Sequence, residues 1–483
     1  MAYKMNFRML KNKLIAVLVL GALAFSCDDF GSTNVDPNVP SAAETSLLLT
    51  GAQQYIVSYI YDEVTPIYYV QHVSSTQYAS GSRYETSEFS NYSWYRSPLA
   101  DLQLIIDLNT DEETKTAALS GGSNENQLAV ARILKAYYFQ VMTDAWGYIP
   151  YSEALQGTDN FTPAYDSQED IYADLINELK EAAALISSAN PVRGDILFDG
   201  DMAKWKAFAN TLRLNMALRL SEVAPSTAAT EFAAAASADG GLITEDVTYT
   251  FLSESANDNP WYDRYLTRID YAISEPLLDF MNANSDPRIP VYADPAASTG
   301  TYVGMPYGIT DADAGAIPYD AVSLIGSSLR EQSSPGYLFT VSQVNFALAE
   351  GVHRGWISGT ASDYYNAAIQ ASFEQYGVFD QATYDAYIAQ AGVAWVDADA
   401  YQLIGEQKWV ALYLNGFESW SEMRRLDYPV LSPAPEAAAG QGIPTKYPYV
   451  ATEDGELNAE NYEAAVTAQG GNTLSTKVWW DAN

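Results

Sequence analysis

The chain has 483 residues, of which 61 are acidic and 25 are basic, and its formal net charge at pH 7 is −36. This charge disfavours nucleic acid and anionic lipid as partners, because both repel an acidic surface. The two histidines and single cysteine disfavour a His-built metal or acid–base site and allow no disulfide within the chain. Aromatic residues make up 13% of the chain, more than a core usually needs, so some are predicted to line a binding surface.

Residues 1–26 are predicted to be a secretory signal peptide. Basic residues precede an apolar stretch that runs from Leu14 to Phe25. As a helix this stretch would measure about 18 Å, well below the roughly 30 Å of a bilayer's hydrocarbon core. It is too short for a permanent membrane span, and we expect it to be removed.

Cys27 is the predicted attachment point of a lipid. The run from Leu23 to Cys27 resembles the bacterial lipoprotein signal, in which a small residue precedes the cysteine that becomes acylated. Asp28 and Asp29 resemble the acidic signal that directs Bacteroidetes lipoproteins to the outer face of the outer membrane. Residues 27–40 are rich in turn formers and are predicted to form the lipidated tether. The alternatives are a buried free thiol and an ordinary signal peptide whose cleavage site contains a cysteine.

Residues 41–483 are predicted to form a single, mainly α domain, since no Ser/Gly/Pro-rich linker divides their middle. Apolar residues recur three or four apart, as helices require, in several segments. These segments are Gln127–Trp146, Asp170–Ile186, Ala203–Val223, Gln343–Trp356, Ala361–Tyr376 and Tyr401–Met423. The fourth and fifth, joined by Ile-Ser-Gly-Thr, resemble a tetratricopeptide (TPR) helix pair. The expected fold is a TPR-like helical-repeat scaffold.

Three long irregular stretches separate the helices, and they are predicted to form a loop-rich ligand-binding region. They are Ser74–Asn91, Phe251–Asp270 and Asp286–Tyr337, within loop-rich inserts around residues 74–100, 250–270 and 286–340. Gly, Pro, Asp, Ser and Tyr dominate all three. Loops of this length in an ordered protein are usually functional.

The loops contain the residue types that bind a neutral sugar, which offers C–H faces to flat rings and hydroxyls to polar side chains. The candidate ligand-binding residues are Arg83, Tyr84 and Trp94 in the first loop and Asn259, Trp261, Tyr262 and Tyr265 in the second. Weaker candidates in the third loop are Tyr302, Tyr307 and Tyr319. The alternative is that Trp94 begins a helix and packs inward, as Tyr262 and Tyr265 would.

Several segments together resemble the SusD/RagB family, the surface nutrient- and glycan-binding lipoproteins of Bacteroidetes, and in particular its SusD-like branch. The segments are Thr143–Tyr151, Trp205–Leu214, Asp286–Ile289, His353–Trp356, Gln407–Leu412, Gly416–Trp420, Arg424–Pro429 and Lys477–Asp481. The resemblance implies a TPR-like helical domain whose loop-rich region carries the ligand site. It also implies a partner, a SusC-like TonB-dependent β-barrel transporter over which the lipoprotein sits as a lid. It implies no chemistry on the ligand.

The aromatic, apolar and basic side chains of these segments are predicted to mark the fold and not the site. Core positions are expected for Trp205, Phe208, Leu212, Trp409, Trp420 and Trp479. Arg424 and Arg425 are expected to pair with carboxylates or carbonyls at the C-terminal end of a helix.

Two other classes of function remain open. A surface glycoside hydrolase needs only a pair of carboxylates, and 61 acidic residues can supply one. A structural surface protein would bind neither a soluble ligand nor a barrel. Acidic runs that start at Asp107, Asp311 and Asp397 lack the Gly and Glu of calcium loops, so no metal and no cofactor is predicted. The favoured prediction is a non-enzymatic, outer-membrane protein that captures an oligosaccharide at the cell surface.

Overall fold

Helices account for most of the architecture of this computed structural model, which describes residues 43–450 and 457–482. The helices are α1 (Thr45–Ile56), α2 (Thr65–Tyr69), α3 (Tyr92–Trp94), α4 (Ala100–Thr110), α5 (Lys115–Ala118), α6 (Asn124–Trp146), α7 (Gln168–Leu185), α8 (Met202–Arg219), α9 (Pro225–Ala236), α10 (Pro260–Thr267), α11 (Glu275–Ala283), α12 (Ile289–Tyr292), α13 (Asp311–Ala316), α14 (Val341–His353), α15 (Ala361–Gln375), α16 (Gln381–Ile388), α17 (Ala400–Ala411), α18 (Gly416–Leu426) and α19 (Ala459–Ala468). The expected mainly α fold is confirmed.

Within the part of the chain that the structure describes, six short strands form three two-stranded antiparallel sheets. The strands are β1 (Val73–Ser75), β2 (Ile149–Pro150), β3 (Tyr165–Asp166), β4 (Val247–Tyr249), β5 (Tyr271–Ile273) and β6 (Gly336–Phe339), paired as β1–β5, β2–β3 and β4–β6. The predicted signal peptide and the whole predicted tether, which includes Cys27, lie outside the described residues. Residues Thr45–Asn483 form one compact unit.

Polar side chains fix where the long helices begin. Ser123, Ser167 and Asp201 accept hydrogen bonds from backbone N–H groups in the first turns of α6, α7 and α8. Thr340 and Gln343 form a reciprocal capping box at the start of α14. These caps accept hydrogen bonds from N–H groups that have no partner within the helix. Removal of one cap therefore lowers the free energy of unfolding by about 1 kcal/mol.

The centre of the molecule contains buried charges as well as apolar side chains. Arg219, at the end of α8, pairs with Asp144, Glu422 and Glu418, the last at 2.8 Å. Asp144 also accepts a hydrogen bond from the indole N–H of Trp480, at 2.8 Å. A buried guanidinium needs such partners to offset its desolvation. The cluster therefore ties α6, α8, α18 and the C-terminal segment together.

The side chains that carry the family resemblance mostly lie in the core, as predicted. Trp205, Phe208, Leu212, Trp409 and Trp420 are each at most 3% exposed. Trp479 is half-buried and packs against the edge of this core. Its neighbour Trp480 turns inward instead, since its N–H reaches the buried Asp144.

The two arginines at the end of α18 have the predicted kinds of partner. Arg424 donates to the carbonyl oxygens of Asp144 and Thr445, at 2.9 and 2.7 Å. Arg425 pairs with the Glu350 carboxylate at 2.6 Å. Both guanidiniums thus hold neighbouring segments against the last turn of α18.

The predicted TPR-like pair consists of α14 and α15, which pack antiparallel. The Ser342 hydroxyl donates to the Ala368 carbonyl at 2.8 Å, and the rings of Phe346 and Tyr365 lie 6.0 Å apart. Gly351, on α14, faces the ring of Phe232 in α9, and a Cβ at this position would overlap that ring. The absence of a side chain at residue 351 therefore allows the close approach of α9.

The three long loops pack together beside the helices. Strands β1 and β5 pair Val73 with Ile273, which joins the first loop to the second. The Met305 N–H donates to the Ile273 carbonyl at 2.9 Å, which adds the third loop. A separate small apolar cluster underlies the three loops and comprises Ala79, Ala272, Met305, Ala314 and Val322. Within the described ranges, no helix is both long and apolar enough to cross a membrane.

Candidate ligand-binding site

The pairing of β1 with β5 extends into the loops that follow and precede these strands. The Thr76 N–H donates to the Asp270 carbonyl at 3.0 Å, and the Gln77 side-chain amide donates to the Asp270 carboxylate at 2.5 Å. These contacts bring Tyr78 from the first loop beside Arg268 from the second. The two side chains are separated by 190 positions in the chain, so only the tertiary fold joins them.

Tyr78 and Arg268 form an exposed flat surface, which we call the Tyr78–Arg268 platform. The guanidinium carbon lies 5.2 Å from the centre of the tyrosine ring, a cation–π arrangement. Tyr78 is 62% exposed, and the Arg268 side chain is 59% exposed. Asp270 fixes the guanidinium through an ion pair of 2.6 Å. The ring can meet a sugar's C–H face, and the remaining guanidinium N–H groups can donate to hydroxyls.

The backbone at Tyr78 is unusual for a tyrosine. Its φ is +53°, in the left-handed region that residues with a side chain rarely adopt. Such a conformation costs of order 1–3 kcal/mol and concentrates at functional sites. Here it holds a large apolar ring out toward solvent.

Arg83 joins the first loop to the third. It pairs with Glu85 at 2.6 Å and with Asp311 at 3.3 Å, and its side chain is only 11% exposed. Asp311 also accepts from the Ala79 N–H at 2.7 Å. The charge of Arg83 is therefore already paired, and the residue positions the loops. The exposed carboxylates of Glu85 and Asp311 disfavour an anionic ligand.

Asn259 and Trp261 are structural residues of the second loop. Asn259 is buried, caps α10 by accepting from the Trp261 N–H at 2.8 Å, and donates to the Ser334 carbonyl at 2.8 Å. Trp261 is 1% exposed, with the Arg264 guanidinium 5.0 Å from its ring. The expectation that these two side chains are accessible to a ligand is wrong, because α10 folds back onto the core and turns them inward.

Tyr84 and Trp94 are also buried, at 4% exposure each. The Tyr84 hydroxyl accepts from the Ala434 N–H at 3.2 Å. Trp94 lies in α3 and packs against the rings of Tyr59 and Trp146, at 5.3 and 5.9 Å. The expectation that both rings are accessible to a ligand is wrong. The alternative, that Trp94 begins a helix and packs inward, is confirmed.

Tyr262 and Tyr265 are half-buried. The Tyr265 hydroxyl donates to the Tyr271 carbonyl at 2.7 Å, and the Arg330 guanidinium lies 4.5 Å from its ring. Burial raises the pKa of Tyr265 above its usual range, so the hydroxyl stays a donor at physiological pH. In the third loop Tyr307 is buried, Tyr302 is half-buried and Tyr319 is 59% exposed.

Tyr78 and Arg268 were absent from the residues singled out in the sequence, although both lie in the loops chosen. Tyr78 follows the polar run Ser74–Gln77, and Arg268 follows α10 directly. Amino-acid composition identifies such loops, but it does not show whether an individual aromatic ring points to solvent or to the core. Three or more side chains suited to holding a metal are not found together in the described part of the chain.

The described residues form a mainly helical scaffold whose loops expose one ring and one guanidinium, an architecture of the helical-repeat class. The family comparison agrees with this class. The model of the SusD-like family, described as starch-binding and associating with the outer membrane, matches residues 37–450. The chain belongs to this SusD-like family, as the resemblance of its segments predicted.

Solved structures of similar fold come from the same family. A chitin-binding protein has 28% identity and a TM-score of 0.77, over 91% of this chain and 100% of its own. A chitin-binding SusD homologue from Flavobacterium johnsoniae has 26% identity and a TM-score of 0.74, over 91% of this chain and 97% of its own. A SusD homologue from Bacteroides fragilis has 24% identity and a TM-score of 0.77, over 91% and 99%. The comparison with curated proteins finds no match.

Proposed function

We propose that this protein binds a neutral oligosaccharide at the Tyr78–Arg268 platform and delivers it to a SusC-like TonB-dependent transporter, for which it acts as a lid. The observation that carries the proposal is the exposed ring of Tyr78, held by a left-handed backbone and stacked by Arg268. A ring held out in this way lowers the entropy cost of stacking on a sugar.

Chitin-type and starch-type oligosaccharides are the first ligands to test. The two similar structures at 28% and 26% identity are named as chitin-binding, and the family description names starch. Both polymers are built from pyranose rings without negative charge. Such ligands suit a site whose exposed carboxylates would repel an anion.

The proposed place of action is the outer face of the outer membrane. Lipid on Cys27 would hold the protein there, with Asp28 and Asp29 as its export signal and residues up to Pro40 as a tether. A tether at one end leaves the helical body free to swing, which is the motion that a lid over a transporter needs.

Tyr78→Ala should weaken binding of chitohexaose or maltoheptaose by about 1–3 kcal/mol, because the stacking ring is lost. Arg268→Lys should weaken it less, since charge is kept but the planar donor group is not. Isothermal titration calorimetry measures both effects. Leu119→Ala, which removes a side chain that is 52% exposed elsewhere, is the control. Equal affinity of Tyr78→Ala and the control for every ligand would remove the platform from the site.

The same ligands separate binding from hydrolysis. The protein is incubated with each oligosaccharide, and products are followed by mass spectrometry. Intact ligand after prolonged incubation is the result expected of a capture protein. Release of shorter products would instead support the glycoside hydrolase alternative.

A further inference from the structure

A concave surface lies between the start of α4, the loop that joins β2 to β3, and the residues just before α19. This cleft has a volume of about 600 Å³, within the roughly 300–1,000 Å³ typical of ligand sites. It shares no lining residue with the Tyr78–Arg268 platform. The elements that build it are also different from the strands that build the platform.

Exposed apolar side chains from all three elements meet in this cleft. Phe161 is 67% exposed and Leu457 is 83% exposed. Tyr92 is 62% exposed and Leu104 is 38% exposed. Isolated apolar side chains on a surface need no explanation, but a group of them in one concavity marks a binding site. Two of the four are aromatic rings, which can stack on a sugar's C–H face.

The cleft also contains polar groups that the fold leaves available. Within the described ranges, the side chains of Arg96 and Gln156 have no hydrogen-bond or ion-pair partner, although both line the cleft. An arginine without a partner is notable in a chain with 61 acidic residues. By contrast, Glu153 is engaged, since its carboxylate accepts from the Ala164 N–H at 2.9 Å. The side chains of Arg96 and Gln156 are thus free to donate hydrogen bonds, whereas the nearby Glu153 carboxylate already accepts one.

Hydrogen bonds between its walls hold the cleft open before any ligand arrives. The Tyr95 hydroxyl donates to the Pro150 carbonyl at 2.7 Å, which ties the helical turn after α3 to β2. The Asn458 amide donates to the Pro163 carbonyl at 2.7 Å, which ties the segment before α19 to the loop. A preformed cleft binds with less ordering cost.

From these features we infer that the cleft is a second sugar-binding site, which takes a neutral pyranose segment between Tyr92 and Phe161 with Arg96 and Gln156 as donors to its hydroxyls. This inference rests on the proposed function, because it assigns the same class of ligand to a different surface. Two sites on one protein allow a single long glycan to be held twice, which raises the overall affinity without new contacts.

The experiment compares three proteins, each with its full mature chain. They are the unaltered protein, the double variant Tyr92→Ala/Phe161→Ala and the platform variant Tyr78→Ala. Short oligosaccharides, chitotriose and maltotriose, are titrated by calorimetry, and retention on polymeric chitin and starch is measured by affinity electrophoresis. Leu119→Ala again serves as the control, and thermal unfolding verifies that each variant is folded.

Two sites per chain are expected for the unaltered protein and one for the double variant. The affinity of the lost site should fall by about tenfold or more, the loss expected of a ring at the centre of a site. Arg96→Gln should weaken the same site and leave the other unchanged. Retention on the polymer should drop in either variant, because each removes one of two attachment points.

The outcomes separate this inference from the proposed function. One site that Tyr78→Ala abolishes and the double variant leaves intact would overturn the second site and keep the platform. One site lost only in the double variant would keep the cleft and overturn the platform. No binding of any of the four probes would overturn both.

Discussion

His72 lies in the core, with its ring 5.8 Å from that of Trp409 and 5.6 Å from that of Tyr413. One ring nitrogen, Nε2, is 2.9 Å from the Trp409 carbonyl and donates to it as the neutral tautomer. Burial lowers the pKa of His72 from 6.5 to about 3, although the hydrogen bond to the carbonyl acts in the opposite direction. The residue is therefore a neutral core side chain and has no part in the proposed site.

The lowered pKa of His72 predicts a loss of stability in acid. Below about pH 6.5 the unfolded chain protonates this histidine, whereas the folded protein does not until about pH 3. The contribution of His72 to the free energy of unfolding is fully present above pH 6.5. It falls by about 4–5 kcal/mol as the pH drops to 3. Urea unfolding at a series of pH values measures it, with His72→Gln for comparison.

His72→Gln should flatten the pH dependence between these two values, because glutamine can still donate to Trp409 but does not titrate. The matched control is His353→Gln, which removes the other histidine, whose side chain is 19% exposed. Parallel curves for the unaltered protein and His72→Gln would contradict the prediction.

The contact between α14 and α9 depends on a residue without a side chain. Gly351 faces the ring of Phe232, and the same region of α14 packs against α15. Gly351→Ala should destabilise the fold by about 1–3 kcal/mol, since the added methyl group overlaps the ring and α9 must move. Chemical denaturation measures the free energy of unfolding.

Gly315→Ala is the matched control, because Gly315 also lies in a helix but a Cβ there would meet open space. This substitution should be neutral or stabilise by up to about 1 kcal/mol, as alanine favours a helix more than glycine does. Similar losses in both variants would show that the close approach of α9 is not the cause.

The whole molecule combines an acidic surface, a helical body and a predicted lipid anchor. A net charge of −36 disfavours binding of the body to anionic headgroups, and the proposed attachment is therefore through the lipid. Its family is described as associating with the outer membrane. Residue 27 itself lies outside the described residues, and the anchor remains a prediction from the sequence.

Cys27→Ala should release the protein from the membrane fraction into the soluble fraction, because no acyl chain can be added. Fractionation of cells followed by immunoblotting measures the distribution. Asp28→Asn/Asp29→Asn should keep the protein in membranes but reduce its accessibility to protease added outside the cells. Retention of Cys27→Ala in membranes would contradict the anchor.

The periodic segments were sufficient to predict a mainly helical fold, since the spacing of apolar residues along the chain shows directly which side of a helix is apolar. Trp205, Phe208 and Leu212 were predicted to be buried because α8 repeats them at helical intervals, and they are. Three irregular stretches were also predicted, because Gly, Pro and Asp interrupt the periodic patterns there, but short helices α10, α12 and α13 form inside the second and third. Local order in the sequence was sufficient for these features.

Which aromatic side chains face solvent was decided only by the tertiary structure. Trp94 and Trp261 share a loop composition with Tyr78, yet the first two are at most 4% exposed and Tyr78 is 62% exposed. The reason is that Trp94 and Trp261 pack into the main core, whereas the pairing of β1 with β5 leaves the Tyr78 ring at the surface. That pairing joins residues almost two hundred positions apart, and no spacing along the chain encodes it.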